Sequence, residues 1–365
     1  MEFAAPLWGT RRPVGMKLFP ERMNLAGIPD ATYFRTFVQA RHIFSFVTIG
    51  ELGWAGPWRE LVTETVETLL KRAKRSDGFY VHRIDAGAEH IDERADLYDQ
   101  AFILFALGSA GGALQRQDWF DEAEELLDRI EAEWKHPMGG FREGEIADPR
   151  LRRQNPHMHL LEAFLALHEA SKRERFKAAA YQIADLARAR FIDRPSGALL
   201  EYFTDDLQPA ALVEGRIVEP GHCFEWAWLF ERMAAFDWPN VVGVSDGLTV
   251  FARHSGIDST RGVAINEVLT DSTVRDAGAR LWPQTERLKA AVARYRRLSS
   301  AAEAEEIVAA ANGLKKYLEV PTPGLWRDKL RADGTWVEEL APGSSLYHIS
   351  CALSELLRVP SSVEI

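Results

Sequence analysis

Pro220-Gly221-His222-Cys223-Phe224-Glu225-Trp226-Ala227-Trp228-Leu229 opens on a helix-entry signal and runs into an apolar stretch that reaches residue 236. Proline suits a first helical position, because the N–H it lacks would have no partner there. A segment this apolar has no wet face, so it reads as a helix buried on most sides, polar only at its start. The same form recurs along the chain. Other apolar runs cover 34–49, 97–110, 159–170 and 346–357. Polar residues stand near these helix starts: Arg41; Tyr98 and Gln100; Asn155 and His159; His222 and Glu225; Gln284 and Glu286; Tyr347 and His348. Positions 41, 98, 155, 222, 284 and 348 are separated by 57, 57, 67, 62 and 64 residues.

A second series interleaves with the first. Residues 61–75, 121–134, 174–190 and 301–317 are charge-rich, with apolar residues at i, i+3, i+4 spacing, and suit helices with one face in water. Glycine-then-apolar segments follow: Gly78-Phe79-Tyr80, Gly140-Phe141-Arg142, Gly197-Ala198-Leu199, Gly262-Val263-Ala264 and Gly324-Leu325-Trp326. The glycines are 62, 57, 65 and 62 residues apart. Glycine ends a helix and permits a tight turn, and the residues after it suit a short strand. The helix before Gly262 is less distinct than the others.

Two series with a period near sixty predict repeated helical hairpins. Six hairpins closing on themselves give an all-α (α/α)6 barrel with short β-hairpins at one rim. An open solenoid is the alternative, although open arrays keep tighter repeats and polar caps. No linker divides the chain, so residues 1–365 read as a single domain. Asn155 before Pro156, and Asp96 before Tyr98, are expected helix caps. In a closed toroid the inner helices run parallel, so their N-termini open at one rim and their first-turn side chains converge. The positive dipole ends converge there too, which favours an anionic intermediate.

Composition narrows the function. Net charge is −10, against the basic face that a nucleic-acid binder needs. Arg150, Arg152 and Arg153 form the densest basic group and read as a solvated loop. Cys223 and Cys351 are too few for a disulfide framework, and no paired CxxC suggests zinc. The start, Met1-Glu2-Phe3-Ala4, lacks a basic leader region, and no run of some 18 apolar residues is apparent, so a cytoplasmic protein without a membrane span is expected. Eleven Trp and nineteen Phe fill a core, and some suit stacking against sugar rings. His157 and His159 are two apart and face different sides of a helix, so they are no metal pair; His159 belongs to the inner series and His157 to packing. His42, His82, His90, His136, His168 and His254 read as surface or packing residues. No metal motif and no phosphate-binding glycine loop is present.

These segments resemble the N-acylglucosamine 2-epimerase superfamily, which includes mannose isomerases, sulfoquinovose isomerase and cellobiose 2-epimerase. The matching stretches are 95–102, 153–163, 219–229, 280–286 and 344–349, in order and across nearly the whole chain, with Arg41 matching the first-helix arginine. The resemblance implies the same (α/α)6 barrel, a monosaccharide substrate and no metal or other cofactor. It implies that His222 and His348 transfer protons on an open-chain sugar. Arg41, Tyr98, Asn155, His159, Glu225 and Glu286 match pocket-lining positions. Trp282 and Trp326 are candidates for sugar stacking, and Arg216 is a candidate substrate contact. Epimerases of the superfamily usually carry a small residue where Trp226 stands, so the branch nearest this chain is that of mannose isomerase and sulfoquinovose isomerase. Homodimer formation is an open expectation.

The chemistry expected is conversion of an aldose such as mannose to its 2-ketose, fructose, through a cis-enediol. His348 would move the proton from C2 to C1, and His222, held by Glu225, would open the ring and serve O1 and O5, while Arg41 polarises the enediolate. A 2-epimerase outcome uses the same pair. A phosphorylated or sulfonated sugar would need several basic groups at one spot, and only Arg41 and Arg216 are placed near the rim. A glycosidase would use Glu225 and Glu286 and leave both histidines unexplained. A non-catalytic sugar-binding module would need neither histidine.

Overall fold

The computed structural model describes every residue up to 359 except positions 14, 86, 88, 89, 149 and 240; positions 360–365, part of the expected single domain, lie outside the described residues. The fold is mostly helical, with short strands between helices. The helices are α1 (Ala4–Thr10), α2 (Thr36–Glu51), α3 (Trp58–Arg72), α4 (Leu97–Leu114), α5 (Gln117–Trp134), α6 (Asn155–Ser171), α7 (Glu174–Leu186), α8 (Pro220–Met233), α9 (Val241–Gly256), α10 (Leu281–Leu298), α11 (Ala301–Leu318) and α12 (Ser345–Leu356).

The even-numbered helices from α2 to α12 pack each on the next, and α12 returns to α2. That closure excludes the open solenoid. The helices α3, α5, α7, α9 and α11 each back onto the even helix before them. The sequence explains the two layers. On α5, Trp119, Phe120, Ala123, Leu126, Leu127, Ile130 and Trp134 are buried along one stripe and the acidic residues face out. Burying each large side chain is worth about 1.5–3 kcal/mol, which holds the outer layer on the inner one. On α4, Leu97, Phe102, Ile103, Leu104, Phe105 and Leu107 are buried all round.

Two expectations change. Helix α4 is, by length and composition, apolar enough to cross a membrane, contrary to the expectation that no such stretch exists; 72% of it is buried inside this protein between α2 and α6. The fifth inner helix, α10, is charge-rich and gives no apolar run. It buries Glu286, Arg287 and Lys289 by pairing them, Glu286 with Lys289 and Arg287 with Glu306.

The rim is built by a repeated device. Each of the five series glycines has a positive φ, between 65° and 93°, which a side chain would resist. Across the first three turns the chain pairs back on itself as Lys74 with Tyr80, Lys135 with Phe141 and Ile192 with Leu199. At the fourth, Ile257–Asp258 pairs with Val263–Ala264. Glutamines near the inner helix starts then clamp the backbone: Gln39 on Phe19, Gln100 on Tyr80 and Gln284 on Ala264, each through both amide atoms at 2.7–3.0 Å. Gln100 and Gln284 are therefore rim fasteners, not cavity residues. His157 does related work, with Nε2 accepting from Phe141 N–H at 3.0 Å.

Candidate active site

The N-terminal turns of the inner helices surround a cavity of about 350 Å³, lined by Arg41, Tyr98, Asn155, His159, His222, Glu225, Trp282 and His348 among others. These residues come from α2, α4, α6, α8, α10 and α12, so every inner helix contributes. Asp96 caps α4, accepting the Tyr98 N–H at 2.7 Å. Asn155 is not a cap. It is the first residue of α6, after Gln154, and its amide reaches to 3.4 Å from His222 Nε2.

His222 and His348 both stand near Trp282, in the first turn of the helix packed between theirs; its ring lies 4.8 Å from the His222 imidazole and 5.9 Å from that of His348, centre to centre. Gly221 makes room for that ring. A Cβ there would come within 2.6 Å of it. The two histidines are both buried, and each turns Nδ1 to a carboxylate, but their surroundings differ. His222 Nδ1 is 3.0 Å from both oxygens of Glu201, and Glu219 lies 3.9 Å away. Burial pushes the His222 pKa down, yet the charges of Glu201 and Glu219 outweigh it and raise it to about 9. These surroundings favour the protonated His222 ring near neutral pH. His348 Nδ1 is 2.8 Å from Glu286 Oε1. Burial, with Arg41 and Lys289 nearby, holds His348 well below the ordinary histidine pKa, which favours the neutral ring.

The partner of His222 is therefore Glu201, not Glu225, which corrects the sequence expectation. Glu201 is oriented from behind by Gln154, whose amide donates to it at 2.8 Å and accepts the Trp226 indole N–H at 2.6 Å. Trp226 is buried behind this relay and does not line the cavity. Glu225 is buried among other acids, and burial with the charge of Glu286 raises its pKa well above the carboxylate range. His159 is held by Glu162 at 3.4 Å, and Glu162 also accepts from Tyr347. Burial lowers the His159 pKa to about 4, so this ring is neutral as well.

Arg41 is buried with no carboxylate partner among the described residues. Its guanidinium lies over Phe37, Tyr98, Phe102 and Tyr347, 4.3–5.6 Å from the ring centres, and donates to Tyr98 Oη at 2.6 Å. Arg41 Nε, Asn155 Oδ1 and Glu225 Oε1 are buried polar atoms without a hydrogen-bond partner among the described residues. Such atoms are costly unless water or a ligand satisfies them, and a polyhydroxylated ligand offers both donors and acceptors.

Three expected contacts do not line the cavity. Arg216 is half exposed and pairs with Asp271. Trp326 is buried, stacked on Trp8 at 5.0 Å between ring centres. Glu286 is fully buried and acts through His348. Conversely, Arg35, Arg280 and Lys329 line the mouth, and the sequence reading missed them. Each is held by a carboxylate: Arg35 by Glu21, Arg280 by Glu219 and Lys329 by Glu339. Glu201 was also missed, although a signal exists. It stands four residues after Gly197, and Glu143, Asn266 and Asp328 stand four after Gly139, Gly262 and Gly324. Each of these reaches the start of the next inner helix, bonding respectively to His222, Arg153, the Arg280 N–H and Ser345.

Three trios bring donor atoms within 4.8 Å of one another: His159, Glu162 and Glu225; Glu201, Glu219 and His222; Glu225, Glu286 and His348. Glu162, Glu201, Glu219 and Glu286 already engage histidine, tyrosine, glutamine, arginine or lysine side chains, whereas Glu225 has no hydrogen-bond partner for Oε1 among the described residues.

Residues 19–352 match the N-acylglucosamine 2-epimerase (GlcNAc 2-epimerase) family. A protein of Rhizobium meliloti named mannose-6-phosphate isomerase is 40% identical over 97% of this chain and 93% of its own. A D-mannose isomerase of Marinomonas mediterranea is 24% identical over 70% of this chain and 68% of its own. Among solved structures, a D-mannose isomerase superposes with a TM-score of 0.89 at 18% identity, covering 98% of this chain and 96% of the other. A cellobiose 2-epimerase from Bacillus thermoamylovorans gives 0.87 at 17%, covering 97% and 96%. The fold, the cavity and these likenesses agree: the chain is an enzyme of the N-acylglucosamine 2-epimerase family.

Proposed function

We propose that this enzyme is an aldose–ketose isomerase for a mannose-type monosaccharide, working through a cis-enediol on an (α/α)6 barrel that forms one domain. The observation that carries the reading is the pair of buried histidines facing one cavity, each with Nδ1 against a buried carboxylate and in surroundings that favour opposite charge on the two rings. His348 Nε2 takes the proton from C2 of the open-chain aldose. The C–H electron pair becomes the C1–C2 double bond as O1 gains a proton. The step completes when O2 gives its proton to His222, restoring the one spent on O1, as C2 becomes the carbonyl and His348 returns the proton to C1. His222 serves O5 and O1 as an acid, for ring opening and for the enediol. Arg41, caged by aromatic rings and with no carboxylate partner among the described residues, stabilises the enediolate oxygens. Neutral Glu225 donates to a sugar hydroxyl, and Trp282 packs against the sugar between the two histidines. This scheme calls for no metal or other cofactor.

A second reading has specific support. Arg35, Arg280 and Lys329 at the mouth suit a phosphate on the sugar, and the Rhizobium meliloti relative is named for a 6-phosphate. All three are already paired, so the free sugar stands first. Chromatography after incubation with mannose and with mannose 6-phosphate separates the readings. Fructose from mannose without glucose supports the first. Turnover of the phosphate alone supports the second. Glucose as first product overturns isomerisation.

A further inference from the structure

Lys289 is fully buried and does not line the cavity. It stands one turn beyond Glu286 on α10, among buried Leu288, Ala290, Ala291 and Val292. Its Nζ lies 2.6 Å from Glu286 Oε2 and 3.8 Å from the ring centre of Trp228. Burying a lysine without a task is expensive, and this one cannot reach a sugar. It is the cation among three buried carboxyls, Glu162 on α6, Glu225 on α8 and Glu286 on α10.

The tautomer of His348 follows the charge on Glu286. An ionised Glu286 accepts the Nδ1–H, which leaves the Nε2 lone pair for the substrate. A protonated Glu286 would donate to Nδ1 and send the ring proton to Nε2, where no base could act. Burial raises the Glu286 pKa, and Lys289 is the largest opposing influence. The other histidine makes the contrast. Glu201 is backed by Gln154 and Trp226, both neutral, so its charge acts in full on His222.

We propose that Lys289 is a positioning residue of the reaction: it keeps Glu286 ionised and so fixes His348 as the Nδ1–H tautomer with a free Nε2. The proposal rests on reading His348 as the base. The groups that face His348 are Glu286 and Lys289 from α10, Arg41 from α2, His159 and Glu162 from α6, Glu225 from α8 and its neighbour Tyr347, with His222 across Trp282. Of these, Lys289 is the one bound to the carboxylate that sets the tautomer.

The test compares pH profiles for wild type, Lys289→Gln and Lys289→Arg. Without the lysine charge the Glu286–His348 pair holds a proton more tightly, so free base is lost at neutral pH. For Lys289→Gln the acid limb of kcat/KM moves up by about one pH unit or more, and kcat near pH 7 falls about tenfold or more. KM stays within about threefold, because the residue does not touch substrate. Lys289→Arg keeps the acid limb in place. A folded Lys289→Gln variant with the wild-type acid limb, or with an equal loss at every pH, overturns the proposal. Nitrogen-15 spectra of the histidines in the wild-type protein, with His348 assigned from His348→Gln, decide the matter even if Lys289→Gln does not fold. Protonated Nδ1 with bare Nε2 near pH 7 is the expected result, and an Nε2–H tautomer or an imidazolium overturns it. That spectrum needs no substrate, so it is separable from failure of the isomerase reading, which would appear as wild-type protein that converts no sugar.

Discussion

Replacing Glu201 with glutamine removes the charge that keeps His222 protonated while keeping the side chain's size. With the two charge centres roughly 4 Å apart, a carboxylate–imidazolium pair is worth about 4 kcal/mol at an effective dielectric of about 20, or about three pKa units. Burial takes part of that back, consistent with a His222 pKa raised to about 9, well above the ordinary value near 6.5. In the Glu201→Gln variant the pKa returns to about 6.5 or lower. The sign follows directly: His222 acts as the acid, so activity is lost as pH rises through its pKa. At pH 8 the protonated fraction falls from about nine-tenths to about one-thirtieth, a loss of about 30-fold in kcat/KM. At pH 6 most of the rate returns. The assay is initial-rate isomerisation across pH 5.5–9.5 on both proteins. A loss of the same factor at every pH would refute the electrostatic argument and leave Glu201 an orienting role only. An unchanged alkaline limb would refute the assignment of Glu201 as partner of His222.

Other substitutions test the geometry. Gly221→Ala drives a methyl into the Trp282 ring; we expect overpacking of about 1–3 kcal/mol in a thermal melt and a fall of about tenfold in kcat/KM, whereas a wild-type rate would remove Trp282 from the site. Arg216→Ala touches only an exposed ion pair with Asp271, so both kcat and KM should stay within about twofold; a large rise in KM would restore it as a substrate contact.

Much of this architecture is legible in the sequence because it repeats. Buried helices need apolar runs and rim turns need glycine, so the period near sixty exposes both layers. It also explains why His222 and His348 face one cavity. What stayed hidden has a physical cause in each case. Helix α10 conceals its burial because Glu286, Lys289 and Arg287 satisfy their charges inside the protein. Glu201 lies outside the helix starts that carry the other polar groups, on the segment between α7 and α8. Trp226 marks the isomerase branch by its size, but the sequence gives no hint that its indole N–H is bound to Gln154 behind Glu201, and so reaches His222 only through them. Trp326 follows a series glycine and is apolar like its counterparts, yet it faces Trp8 in the core. Pairing among residues distant in sequence, such as Arg280 with Glu219 at the mouth, leaves no periodic trace.

In the proposed reaction His348 moves a proton from C2 to C1 of one sugar while His222 serves the oxygens. Incubating mannose with the enzyme in deuterium oxide and following early proton spectra tests it most directly. The expected product is fructose without glucose, carrying at C1 the hydrogen from mannose C2 together with the solvent deuterium that exchanges on His348 during the enediol's lifetime, and both transfer and exchange are lost in His348→Ala. Glucose labelled at C2 as the first product, or unchanged exchange in His348→Ala, would contradict it.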